Sequence, residues 1–124
     1  MAVTTIQELI AQREKIQAKR QRLWELTTSL GVMVFKAPTA AMFTEADALE
    51  KTGNGNTYLI YNCAVEPNLA SAELQKSFGV FEPLEIVNAL FEPGEIARIA
   101  GKLLEISGYT KNNILAKVHE DVKN

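Results

Sequence analysis

Apolar residues Ile6, Leu9, Ile10 and Ile16 recur at steps of three and four among Gln, Lys, Arg and Ala, which are good helix formers. The spacing predicts one amphipathic helix from Thr4 or Thr5 to about Arg22. Thr5 followed three residues later by Glu8 fits a capping box, in which each side chain satisfies the other residue's free backbone amide. Beyond Ile16 the apolar stripe thins, so the second half is expected to project from the domain.

From Leu23 to Lys36 the period shortens. Trp24-Glu25-Leu26 alternates, Thr27 to Gly31 has turn chemistry, and Val32-Met-Val-Phe35 is β-prone, which together predict one hairpin. Two strands are marginal in water, so Trp24, Val32, Val34 or Phe35 must lie on helices or on another chain's strands. The open edge, like the Ile6-to-Ile16 stripe, is an expected surface for self-association.

Pro38 bars helix just before it, and Thr39 is placed to cap a helix through Ala41, Met42, Ala46 and Leu49 toward Thr52. The run from Thr52 to Asn56 breaks the chain. Asn56 or Thr57 then caps a helix through Tyr58, Leu59, Ile60, Tyr61, Cys63, Ala64 and Val65, apolar on nearly every face and therefore expected at the centre. Glu66-Pro67-Asn68 stops it, and a short helix carrying Leu74 follows before Phe78-Gly79.

Next comes a doubled phrase, Phe81-Glu-Pro-Leu-Glu-Ile86 and Phe91-Glu-Pro-Gly-Glu-Ile96. Pro83 and Pro93 suit first helical turns, where a missing amide hydrogen loses no partner, and Glu85 and Glu95 place negative charge against the helix dipole. The second start leads into Ile96, Ile99, Ala100, Leu103 and Leu104 at helical spacing, ending near Ser107-Gly108. Gly101 inside it suggests a close helix crossing. Residues 110-124 form a weakly amphipathic tail through Ile114, Leu115 and Val118, with little reason to expect order. The whole pattern reads as a mainly α fold: a compact bundle of about five or six helices with one small β-hairpin near residues 23-36.

A length of 124 residues makes one domain over 1-124 the default, and 47% apolar with 23% charged residues is ordinary globular usage. No apolar run reaches the length of about 20 residues needed to span a membrane, and Met1 to Thr5 lacks a basic segment with an apolar core, which reads as a cytosolic protein. The net charge of -2 is uneven: residues 1-22 carry five basic and two acidic side chains, leaving -5 on the remainder. That asymmetry fits a solvated helix face, a helix-binding surface or an arm for nucleic acid. Aromatic side chains for stacking bases are missing from the segment, Trp24 being the nearest, so protein binding is the preferred use. The candidate interface is Ile6, Leu9, Ile10, Arg13, Ile16, Arg20 and Trp24.

Catalytic groupings are sparse. Cys63, the single cysteine, has apolar flanks and reads as a buried thiol, and the single histidine, His119, falls in the tail. Gly53-Asn-Gly55 lacks the Gly-Lys-Ser/Thr of a phosphate loop. Glu66, Glu73, Glu82, Glu85, Glu92 and Glu95 are better explained as helix punctuation than as ligands for a divalent metal. No catalytic residue, metal ligand or cofactor site is expected. The reading is a binder rather than an enzyme, with a small nucleic-acid-binding or regulatory module as the alternative.

One ordered set of motifs carries a resemblance. Phe35-Lys36 with Pro38, Tyr58-Leu-Ile-Tyr61, Val65-Glu-Pro-Asn-Leu69, Glu73-Leu-Gln75, Gly79, Pro83 with Ile86-Val87, Phe91-Glu-Pro-Gly-Glu-Ile96 and Gly108-Tyr109 resemble the XkdN-like tail assembly chaperones of long-tailed phages and of Gram-positive prophages. The motifs cover about 75 residues of the central and C-terminal body, whereas residues 1-30 and the tail match poorly. The resemblance implies a non-enzymatic protein of the bacterial host cytoplasm that coats the tape measure protein, keeps that long helical chain soluble and leaves as the tail tube polymerises. It also implies a homo-oligomer, a frameshift-extended longer form of which this chain would be the short version, and the tail tube protein as a further partner.

Overall fold

The structure, a computed structural model, describes residues 2–108. The predicted first helix is two: α1 (Ile6–Ala11) and α2 (Arg13–Arg20), separated by a turn at Gln12. Thr5 caps α1, its hydroxyl accepting from the Glu8 amide at 3.2 Å. No residue of either helix is buried, so only local bonds hold the segment and no packing keeps it continuous across Gln12.

Strands β1 (Leu23–Thr28) and β2 (Gly31–Lys36) form the expected hairpin, in register from Leu23 opposite Lys36 to Thr28 opposite Gly31. Opposed residues share a face, which puts Trp24, Leu26, Met33 and Phe35 inward. The Thr28 hydroxyl closes the turn, accepting from the Leu30 amide and donating to the Gly31 carbonyl, and Gly31 has the positive φ of 124° that favours glycine.

Thr39 caps α3 (Ala40–Ala48) as predicted, accepting from the Met42 amide, and a single 3-10 turn, Glu50–Thr52, follows. Helix α4 (Gly55–Cys63) begins earlier than expected, at Gly55 rather than after a capping Asn56 or Thr57. The cause is packing. A Cβ on Gly55 would lie 2.7 Å from the Ala46 carbonyl oxygen, so the start of α4 can approach the end of α3 only with glycine there. The helix is central, as predicted, packing on α3, α6 and α7 and burying Leu59, Ile60 and Cys63.

Helix α4 also stops sooner than predicted. Ala64–Glu66 is a short strand, β3, paired antiparallel with β2, with Phe35 opposite Ala64 and an irregularity between Val34 and Phe35. It occupies the edge of β2 that the hairpin alone would leave open, so the chain itself supplies the third strand. Helix α5 (Ala72–Ser77) is capped by Ser71 and followed by Gly79 at φ 66°.

The doubled phrase starts two helices, as read, but in different ways. In α7 (Pro93–Ile106) the proline opens the helix. In α6 (Glu85–Leu90) Pro83 lies in a turn two residues ahead, where tight amide-to-carbonyl bonds run from Glu85 to Glu82 and from Ile86 to Pro83. The two phenylalanines diverge fully: Phe81 is 96% exposed and Phe91 only 4%. Helix α7 buries Ile96, Ile99, Ala100 and Leu103, and each large aliphatic side chain contributes about 1.5–3 kcal/mol when fully buried. Gly101 faces open space, so the expected close crossing is absent; the contacts of α7 run along its other face, to α4, α6 and β1.

The architecture is mainly α, with seven helices among the described residues, but it is not a pure bundle: a three-stranded antiparallel sheet in the order β1-β2-β3 is packed into it. Phe35, Ile60, Leu69, Ile86, Val87 and Leu103 join sheet and helices in one core. The C-terminal tail read from the sequence lies outside the described residues.

Candidate partner-binding surface

The interface residues predicted from sequence divide into an arm and its root. On α1 and α2 the stripe is open to solvent, with Ile6 71%, Leu9 51%, Ile10 63% and Ile16 44% exposed, and Arg13 and Arg20 are exposed beside it. Turns at Gln12 and Gln21 end the two helices, so the stripe runs over two short pieces rather than one rod. Trp24 is set apart from the stripe: it lies on β1, half-buried, with the Arg22 guanidinium 5.4 Å from its ring centroid. The link from α2 to β1 is Gln21 and Arg22 alone, so this stacked pair forms the base of the arm.

At its far end the hairpin is fastened to α7. Glu95 accepts from the Ser29 amide at 2.7 Å and from the Ser29 hydroxyl at 2.5 Å, across 66 positions of chain. The hydroxyl first, and then the amide, hold the Glu95 carboxyl below the usual carboxylate range. Sequence reasoning assigned Glu95 to the helix dipole and missed this contact. Nothing local announces it, since Ser29 belongs to a turn read as self-contained.

The groups considered for chemistry take other roles. Burial pushes the Cys63 thiol up to about 11, against a smaller opposing pull from Lys36, and its sulfur lies 3.8 Å from that of Met42. Such a thiol is neutral near pH 7 and packs as an apolar group. Gly53 turns the chain between α3 and α4 with φ 77°, and Gly55 serves the approach of those helices. Among the described residues no three acidic, cysteine or histidine side chains gather at one point, and no helix is long and apolar enough to cross a membrane. His119 lies outside the described residues.

The described residues form a mainly α fold with a small antiparallel sheet, an exposed amphipathic arm and a glutamate clamp between the hairpin and α7, features that define the fold and leave the role to be read from relatives. The chain belongs to the phage XkdN-like tail assembly chaperone proteins, whose family model matches residues 44–123. The match starts inside α3, so the arm, the hairpin and the Phe35-Lys36 and Pro38 motifs lie ahead of it, and it extends through the tail that the sequence motifs left unmatched. Comparison with curated proteins and with solved structures gives no match.

Proposed function

We propose that this protein is a non-enzymatic chaperone that binds the tape measure protein of a long-tailed phage in the host cytoplasm and keeps it soluble until the tail tube forms around it. Membership of the tail assembly chaperones over residues 44–123 carries the reading. The uncovered stripe of Ile6, Leu9, Ile10 and Ile16, bordered by Arg13 and Arg20, supports it: an amphipathic helical surface of this kind accepts another helix. We place the client contact on this arm, with Trp24 at its base, and expect several copies to line one long client, joined by any frameshift-extended form of the chain and released to the tail tube protein.

Co-expression with the cognate tape measure protein tests the reading directly. The client is expected to move into the soluble fraction and to co-elute with this protein on size exclusion. A client that stays equally insoluble, with no complex on the column, overturns it.

A further inference from the structure

A second surface, away from the arm, complements it. Beside the hairpin turn, Leu30, Val32, Leu69, Leu74 and Leu90 line a mostly apolar groove of about 360 Å³. Leu30 and Val32 are each 61% exposed, so the chain's own arm leaves the groove open. The arm is rooted at the other end of the hairpin, five register steps away, which is roughly 17 Å at the usual rise per strand residue. Charge is divided in the same sense. Residues 1–22 carry +3, whereas residues 23–108, with five basic and eleven acidic side chains, carry -6. Two exposed acids border the groove in sequence, Glu66 just before its lining residue Pro67 and Glu73 just before Leu74.

We infer that the arm of one copy seats its Ile6-to-Ile16 stripe in the hairpin-side groove of a second copy. Apolar contact supplies the seat, and the opposite charges of arm and body draw the two together over the range of a Debye length. Since arm and groove are different surfaces, the contact is heterologous, and either two copies exchange arms or further copies add in series. In the free protein it covers an apolar stripe that would otherwise face water, and a client helix binding the same stripe displaces it. The contact needs no client, so its test is separate from that of the function proposed above.

The test is sedimentation equilibrium of the full chain over a wide concentration range, for the wild type, Ile10→Glu, Val32→Glu and an equal mixture of the two variants. Both substituted positions are exposed, and circular dichroism with thermal melting checks that each variant folds. The wild type is expected to exceed the monomer mass as concentration rises. Each variant alone is expected to associate at least tenfold more weakly, and the mixture to regain association, because one variant keeps a sound groove and the other a sound arm. Arm-to-arm pairing would leave Val32→Glu associating like the wild type, and pairing through the β1 edge would do the same for Ile10→Glu. Either result overturns the inference, as does a wild type that stays monomeric throughout or a mixture that fails to recover.

Discussion

Glu85 and Glu95 occupy matching positions in the doubled phrase, yet their surroundings separate them. Glu85 is exposed in the first turn of α6, where the dipole favours its charge. Glu95 spends both carboxylate oxygens on Ser29, and only the ionised form accepts both bonds in full. Its folded pKa lies below the unfolded value, so its stabilisation is complete above the ordinary carboxylate pKa and is lost as pH falls through the lowered one. The wild type is therefore expected to melt higher than Glu95→Gln at pH 7, with the gap closing as the buffer is acidified below the ordinary carboxylate pKa. Thermal melts of both proteins across that range check it; a gap that is constant with pH would remove the carboxylate charge from the explanation.

At the scale of elements, two glycines make opposite demands. Gly55 sits where a Cβ would press on the Ala46 backbone, and neither helix can yield without moving, so Gly55→Ala is expected to cost about 1–3 kcal/mol. Gly101 is in mid-helix with open space around it, and Gly101→Ala is expected to gain roughly 0.5–1 kcal/mol. Urea unfolding of the two variants, compared by midpoint at unchanged slope, measures both. The same pair marks what was legible in the chain. Local chemistry placed the elements: Thr5 and Thr39 as caps, Pro93 at a helix start, the turn between Thr28 and Gly31. Partners distant in sequence were hidden. Gly101 was read as the close crossing and Gly55 as part of a breaker, because the sequence does not say which helix lies opposite. Ala64-Val65 was absorbed into α4 for the same reason, since only the free edge of β2 makes a strand of it. Of the candidate surface, the stripe was readable from its spacing, whereas the hairpin-side groove, assembled from β2, the segment after β3, α5 and α6, was not.

For the molecule as a whole, stability and the exposed arm are separate properties. The core is continuous from Phe35 through Ile60 to Leu103, while residues 2–22 are exposed throughout. Ile60→Ala is expected to cost about 2–5 kcal/mol, and Ile10→Ala less than about 0.5 kcal/mol, in the same unfolding measurement at dilutions where the chain is monomeric. A large loss from Ile10→Ala would mean that the arm packs on its own body. The cation stacked at the base of the arm has a further, practical consequence. Trp24 is the only tryptophan in the chain, and it stands half-buried where the arm enters the sheet, opposite Phe35 in the strand register and with Arg22 over its ring. Its ultraviolet emission therefore reports from that junction alone. Any event that turns the arm or lifts the guanidinium from the indole changes the signal of an unlabelled protein, which gives the chain an optical gauge at the joint between arm and body.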